Sequence, residues 1–346
     1  MNQILNEASS TTAAEITEEI AISTTPKFLK AHFRQYSVQL FLIVLFDLIN
    51  SCTHFFLTLI IGDFFIIQFH TDSSKGKLLQ KIGIEITQSS TFFLLFLFLL
   101  SAKFITGYAA KLLSVKQGEI FVKTIREALF AHQVFLPTEI FRQKSFGNYL
   151  LRYSNDMKAV QNMLTKGLLG AAKEILFLCV GITIIGIINR EVSFIIAGLI
   201  IAAALLVRKI TALQTRLISD SRDKRSNLLA FVSKTFSQFN KIKMEGTETK
   251  FIQRFHNKST DLLTANISNG RTENLLQGLA GIIPFLIIGG VLWMITSKLI
   301  HIHASDGLLT ILMLLLMQGT VRRLLKIPGY LVKGKISLDK IALIMQ

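Results

Sequence analysis

The sequence predicts an all-α membrane protein with six transmembrane helices and long cytosolic helical extensions. Of the 346 residues, 51% are hydrophobic and only 17% are charged, and the mean hydropathy is +0.49, which is unlike a soluble globular protein. A spanning helix needs about 20 mostly apolar residues, and six stretches approach or exceed that length, at about 36–62, 88–110, 167–189, 192–207, 275–298 and 308–327. None shows the alternation of barrel strands, so helices are expected.

The first 35 residues are predicted to form a disordered cytosolic tail, and residues 36–346 a single membrane domain. Four glutamates occupy the region where a secretory signal would carry positive charge: Glu7, Glu15, Glu18 and Glu19. Serine and threonine are frequent at 9–12 and 23–25, which favours disorder. An amphipathic helix on the membrane surface from about 26 to 36 is the alternative for the end of this tail.

The third and fourth spans are predicted to form a tight hairpin. The apolar run from Ile175 to Val207 is too long for one crossing, and its polar break is confined to Asn189, Arg190 and Glu191. The run is therefore divided into two spans that are joined outside the membrane.

The distribution of Lys and Arg sets the orientation. Both termini and the loops at about 111–166 and 208–274 carry most of the 38 basic residues, whereas the opposite side carries Lys75, Lys77, Lys81, Arg190 and Lys298. Cytosolic loops retain positive charge, so both termini are predicted to be cytosolic, in a bacterial plasma (inner) membrane. This topology also accounts for the net charge of +16 without a nucleic-acid partner.

The sequence predicts no metal site, no cofactor on this chain and no structural disulfide. The two cysteines, Cys52 and Cys179, lie inside apolar spans and are interpreted as small buried hydrophobic residues. His301 and His303 with Asp306 have the alternation of a metal site, but without further ligands they indicate a solvated turn.

The two long basic loops are predicted to be helical hairpins. In the second loop, Leu228, Val232, Phe236 and Phe239 recur every three or four residues, which is typical of an amphipathic helix. Some 25 helical residues project by nearly 40 Å at about 1.5 Å per residue. Each loop therefore has a length suited to docking onto a separate motor domain.

Both loops contain segments of a known family. The first contains Leu136-Pro137, Ile140-Phe141 and then Gly147, with Arg152 five and Asp156 nine residues later. The second contains Ile242-Lys243-Met244-Glu245-Gly246-Thr247-Glu248, and the chain closes with Ser337-Leu338-Asp339-Lys340-Ile341. In register with six spans, these segments resemble the transmembrane domain of type I ABC exporters over about residues 36–346.

The resemblance implies the ABC transporter type 1 transmembrane fold, a homo- or heterodimer that encloses a substrate pathway, and coupling to a nucleotide-binding ATPase subunit. It implies that Pro137, Ile140, Phe141, Gly147, Arg152, Asp156, Lys243, Gly246 and Glu248 belong to the coupling segments. A structural alternative exists for four of them. Gly147 could form a tight turn, Arg152 and Asp156 an intrahelical pair worth roughly 0.3 kcal/mol, and Glu248 a solvated charge at a helix start.

The sequence lacks the phosphate-binding string G-x-x-x-x-G-K-[ST], so this chain is not expected to hydrolyse ATP. It ends soon after Ile341, where the resemblance would place the start of an ATPase domain. ATP and Mg²⁺ are therefore expected on a partner subunit, whether the ATPase is encoded separately or was removed from this chain.

Polar residues inside the spans indicate either a substrate path or a structural lock. Asp47 in span 1 and Lys103 in span 2 lie at similar predicted depths, and a charge at the bilayer centre costs on the order of 3 kcal/mol. The favoured interpretation is an ion pair between them. The alternative is a cavity lining that includes Asn50 and His54, one and two turns beyond Asp47.

Two functions stay open. The chain is either the membrane-spanning subunit of an ATP-driven exporter or a non-transporting regulatory or sensor membrane protein that retains the exporter scaffold. The presence of a partner ATPase would distinguish them, and the sequence does not identify the substrate.

Overall fold

The computed structural model describes residues 25–69, 89–135, 137, 149, 152–297 and 304–345, and within them all regular structure is helical. The helices are α1 (Thr25–Gln35), α2 (Ser37–Phe69), α3 (Ser89–Val134), α4 (Arg152–Ile188), α5 (Arg190–Ser237), α6 (Phe239–Glu245), α7 (Glu248–Thr296), α8 (Ala304–Leu324) and α9 (Ile327–Met345). The all-α prediction is confirmed. The tail before residue 25, and Leu136, Ile140, Phe141, Gly147, His301 and His303, lie outside the described residues.

Five helices of the described ranges are long and apolar enough to cross a membrane: α2, α3, α4, α5 and α7. They coincide with the first five predicted spans. The sixth predicted span, at about 308–327, falls on α8, which has 21 residues. A count of six crossings stays a prediction.

The end of the predicted disordered tail is helical from residue 25, which corrects that part of the prediction. Helix α1 buries His32 against the rings of Tyr36 and Phe121, whose centroids lie 4.8 and 4.9 Å from that of the imidazole. The alternating polar and apolar residues of this stretch gain a packing partner in α3, a contact that composition does not reveal.

The three longest helices continue well beyond the apolar spans. Helices α3, α5 and α7 have 46, 48 and 49 residues, so each is about 70 Å long at about 1.5 Å per residue. Helices α5 and α7 pack along each other as a hairpin, with α6 at its tip. Gly246 follows α6 with φ +59°, a left-handed conformation that glycine adopts without steric cost. The predicted helical hairpin of the second loop is confirmed.

The tight hairpin between the third and fourth spans is also present. Asn189 separates α4 from α5, and its side-chain oxygen accepts hydrogen bonds from the backbone N–H groups of Glu191 at 2.9 Å and Val192 at 3.2 Å. This N-cap satisfies donors that a helix start leaves unpaired. Ser193 donates to the carbonyl oxygen of Ile182 at 3.0 Å and ties the two helices together.

Two large hydrophobic cores divide the molecule along its length, and a small third cluster joins Leu40 and Ile43 of α2 to Leu169 of α4. The larger core joins the apolar parts of α2, α3, α4, α5, α7 and α8. The smaller core joins the extension of α3, the start of α4 and the C-terminal half of α9. In the smaller core, α9 approaches α4 so closely that a Cβ atom on Gly334 would lie 2.2 Å from Cβ of Met163.

Candidate functional site

A cavity of about 730 Å³ opens between α2, α3, α4, α8 and α9, at the end of the apolar bundle where the long helical extensions begin. Its walls combine polar and apolar side chains. The residues that line it are Asn50, Ser51, His54, Lys111, Thr165, Lys166, Gly170, Lys173, Glu174, Phe177, Leu316, Gly319, Thr320, Arg323, Lys326, Ile327 and Tyr330.

Asn50 fixes the register of α2 against α3. Its amide nitrogen donates to the carbonyl oxygen of Lys103 at 2.8 Å and to the hydroxyl of Thr106 at 3.3 Å. A carbonyl oxygen can accept two hydrogen bonds, so the carbonyl of Lys103 accepts the bond from Asn50 in addition to its bond within α3. This contact therefore joins α2 to α3 while the backbone hydrogen bonds of both helices stay intact. Asn50 therefore both lines the cavity and positions Lys103.

Lys103 contacts His54, not Asp47. The distance between Lys103 Nζ and His54 Nδ1 is 2.6 Å. Because an ammonium group only donates, His54 accepts through Nδ1, and the neutral ring keeps its proton on Nε2. The ring of His54 also packs against that of Phe177, with 5.5 Å between centroids.

The predicted ion pair between Asp47 and Lys103 is wrong in this structure. Asp47 is buried and its carboxylate lies 3.2 Å from Nζ of Lys173, on α4. The reason is the direction of helical side chains, which point towards the N-terminus of their own helix. Lys103 therefore extends along α3 away from the level of Asp47 and reaches His54, one turn beyond Asn50.

The strongest polar contact of the cavity joins α4 to α8. The guanidinium of Arg323 donates to both carboxylate oxygens of Glu174, from Nε at 2.5 Å and from Nη2 at 3.0 Å. A third bond runs from Arg323 to the hydroxyl of Thr320 at 3.0 Å. A guanidinium that donates to both oxygens of one carboxylate fixes the planes of the two groups relative to each other, and such pairs are among the stronger ion pairs in proteins.

Glu174 and Arg323 are functional candidates that the sequence prediction missed. The signal was present, because Lys173 and Glu174 follow each other inside the third predicted span and Arg322 and Arg323 stand inside the sixth. Ionisable residues inside a span are rare enough to count as candidates by default. Applying that rule to every span would have found them.

The cavity carries an excess of positive charge. Among the described residues, five cations and one carboxylate, that of Glu174, line it. The cations are Lys111, Lys166, Lys173, Arg323 and Lys326. Glu174 neutralises one of them, and Asp47 neutralises another. The other three form no ion pair with the part of the chain that the structure describes. With the apolar walls from Phe177 and Leu316, the arrangement suits an anionic group attached to an apolar body.

The residues of the predicted coupling segments fall into two groups. Arg152 and Asp156 form an ion pair one turn apart, and Asp156 also lies 3.5 Å from Arg222 and accepts a hydrogen bond from Ser337 at 2.8 Å. Asp156 and Ser337 are buried, so this group holds α4, α5 and α9 together. Its role is wider than the predicted intrahelical pair.

The second group is exposed. Pro137 lies on the surface, and Lys243 pairs with Glu248 at 3.1 Å across the turn at Gly246. The neighbouring side chain of Met244 is 89% exposed. Contact of these residues with a motor domain stays a prediction.

Among the described residues, no three His, Cys, Asp or Glu side chains are grouped as a metal site would require. Both cysteines are free thiols. Cys52 is half-buried, whereas Cys179 is exposed where the sequence predicted burial.

Comparisons with known proteins agree with the architecture. A family model described as the ABC transporter transmembrane region matches residues 40–321. An ATP-dependent lipid A-core flippase of Nitrosococcus oceani is 24% identical over 235 residues, which cover 67% of this chain and 39% of that protein. The flippase of the same name from Desulfotalea psychrophila is 21% identical over 235 residues, or 66% of this chain and 41% of that protein. The chain thus spans about two fifths of the length of these relatives.

A solved structure of a bacterial Atm1-family ABC exporter with ATP bound shares the fold. The TM-score is 0.70 at 16% identity, over 90% of this chain and 54% of that chain. The family model covers most of the chain, and the resemblance to ABC exporters inferred from the loop segments is confirmed. This chain therefore belongs to the ABC transporter transmembrane region family.

Proposed function

We propose that this chain forms the substrate pathway of an ATP-driven exporter and that its substrate is an anionic amphiphile. The observation that carries the proposal is the cavity of about 730 Å³, whose wall combines the apolar Phe177 and Leu316 with three lysines that form no ion pair with a described residue, Lys111, Lys166 and Lys326. An ammonium group that faces a low-dielectric wall attracts an anion more strongly than one in water. The names of the flippase relatives, which include lipid A-core, support a lipid-like substrate.

In this proposal, two transmembrane domains pair and a nucleotide-binding ATPase subunit docks at the tips of the long hairpins, with both termini in the cytosol of a bacterial plasma membrane. Support comes from the exposed apolar tip: Met244 is 89% exposed and Phe239 51% exposed, in a helix of seven residues. Apolar side chains at the end of a projecting hairpin favour burial by a partner. ATP and Mg²⁺ would be held by that partner.

The substrate proposal is tested by ligand binding to the full chain in detergent. The probes are a fluorescent phosphatidylglycerol and a fluorescent phosphatidylcholine with the same acyl chains. The double variant Lys166→Gln/Lys326→Gln is expected to bind the anionic probe at least roughly tenfold more weakly, because a contact with a charged group contributes about 1.5 kcal/mol or more. Binding of the zwitterionic probe should change little.

The matched control is Lys116→Gln/Lys335→Gln, which removes the same charge from exposed positions outside the cavity. Equal loss of binding in both double variants would show that the effect is long-range electrostatics. Equal affinity of the wild type for the two probes would contradict an anionic substrate.

The coupling proposal is tested by reconstitution with a nucleotide-binding ATPase subunit. Met244→Ser is expected to abolish most of the stimulation of ATPase activity by this chain. Leu263→Ser, on the shaft of the same hairpin and also exposed, is expected to leave it intact. If the ATPase activity is the same with and without this chain, the alternative is favoured, a regulatory or sensor membrane protein.

A further inference from the structure

A second cavity, of about 340 Å³, lies beyond the first, where the start of α4, the extension of α5 and the middle of α9 meet. Tyr330 lines both cavities and receives the ammonium group of Lys166 over its ring at 5.8 Å. The walls of the two cavities thus share one aromatic side chain. Six cations and one carboxylate line it: Arg152, Lys158, Arg222, Arg225, Lys333 and Lys340, with Asp156.

The carboxylates around this cavity do not balance the cations. Asp156 is shared between Arg152 and Arg222. The ammonium of Lys333 pairs with Glu273 at 2.9 Å, and that of Lys340 pairs with Asp223 at 2.6 Å. Among the described residues, three carboxylates thus face six cations, and three positive charges remain.

Two of the six cations have no carboxylate partner in the described part of the chain. Lys158 donates only to the neutral amide oxygen of Gln161, at 2.9 Å. Arg225 makes no hydrogen bond or ion pair with a described residue. In addition, Nε of Arg152 is buried and finds no acceptor among the described residues. A buried charged donor is unfavourable without an acceptor, and this one favours an anion in a cavity whose described residues supply none for it.

A purely structural ion network does not explain this composition. Such a network would alternate charges, whereas here the guanidinium groups of Arg152 and Arg222 converge on one carboxylate that already accepts a bond from Ser337. Guanidinium and ammonium groups that converge from several elements are the usual means of binding phosphate oxygens. The size of the cavity suits a group with one or two phosphates.

We propose that this second cavity is a binding site for a phosphate-bearing anion with at least two negative charges, held between α4, α5 and α9. The site is distinct from the proposed substrate cavity and does not depend on it. Two sources share this chemistry: a free phosphorylated solute, or the headgroup of an anionic lipid. The distance along α4 from Asp156 to the predicted start of the span near residue 167 is about 16 Å. A lipid headgroup at the membrane surface therefore reaches the end of the cavity that faces the span.

The experiment uses the full chain in phosphatidylcholine nanodiscs and measures binding of pyrophosphate by calorimetry. A second arm replaces part of the phosphatidylcholine with phosphatidylglycerol and measures the gain in thermal stability. The variant is Lys158→Gln/Arg225→Gln, whose side chains are exposed and lie outside both hydrophobic cores. The expected result is at least roughly tenfold weaker binding of pyrophosphate, or loss of the stabilisation by phosphatidylglycerol.

Two controls isolate the site. Arg216→Gln/Lys335→Gln removes the same charge from exposed positions that line neither cavity, and Lys166→Gln/Lys326→Gln removes charge from the first cavity. Both should bind pyrophosphate as the wild type does, and the first control should also keep the stabilisation by phosphatidylglycerol. An effect of the variant in the pyrophosphate arm identifies a soluble ligand, and an effect confined to the phosphatidylglycerol arm identifies a lipid headgroup. The proposal is overturned if the wild type responds in neither arm, or if the variant and the first control respond equally.

Discussion

Replacing Gly334 by alanine tests whether the smaller core is packed as closely as the structure shows. The added Cβ would lie 2.2 Å from Cβ of Met163, and 2.7 and 2.8 Å from its Cγ and Sδ. Carbon atoms in contact normally stand about 3.5–4.0 Å apart, so α9 and α4 must separate by more than 1 Å. The nearest atom is the Cβ of Met163, which a rotamer change cannot move away.

The expected cost follows from two opposing effects. Overpacking a core of this kind costs about 1–3 kcal/mol. Alanine in place of glycine inside a helix contributes about 0.5–1 kcal/mol of stabilisation. Gly334→Ala should therefore lower the free energy of unfolding by about 1–2 kcal/mol, measured by thermal or denaturant unfolding in detergent.

The same helix supplies a matched control. Gly329 lies in α9 five residues earlier, and a Cβ there would meet nothing within 4 Å. Gly329→Ala should therefore raise stability by about 0.5–1 kcal/mol through the backbone effect alone. If the two alanine variants unfold at the same temperature, the close approach of α9 to α4 is refuted.

Three further predictions concern buried polar groups. Burial lowers the pKa of His32 from 6.5 to about 4, so between these pH values the unfolded chain binds a proton that the folded chain excludes. The free energy of unfolding should therefore fall by up to about 2 kcal/mol from pH 6.5 to 4, allowing for solvent screening. The variant His32→Phe should remove this pH dependence in an unfolding titration. Glu174→Gln should lower the free energy of unfolding by about 2 kcal/mol, because it leaves the guanidinium of Arg323 without its carboxylate. The double variant Glu174→Gln/Arg323→Gln should regain part of this stability, and no gain would contradict the pairing. Ser337→Ala, which removes a bond of 2.8 Å to Asp156, should lower the unfolding temperature, whereas an unchanged temperature would argue against that bond.

Sequence patterns predicted the helices well because their causes are local. Hydropathy determines where a span lies, and the polar break at Asn189 marks the hairpin directly, since an asparagine before a helix caps its N-terminus. These features depend on residues that are neighbours in the chain.

The polar contacts between spans were less predictable because they depend on helix rotation and on the direction of side chains. The prediction placed Lys103 level with Asp47 by counting residues, but the lysine points the other way and reaches His54. Lys173, the partner found for Asp47, comes from a third helix whose rotation is set by packing. Depth alone, read from a sequence, does not choose among three helices.

Helix α9 has a place in both halves of the molecule. Its first turns, with Ile327 and Tyr330, form part of the wall of the first cavity, and its last turns, with Leu338 and Ile341, belong to the smaller core. At 19 residues it is a rod of about 28 Å. Because α9 is a continuous helix, a rotation that a partner imposes on its C-terminal end is transmitted to its first turns. Such a rotation must displace Tyr330, the aromatic side chain that lines both cavities.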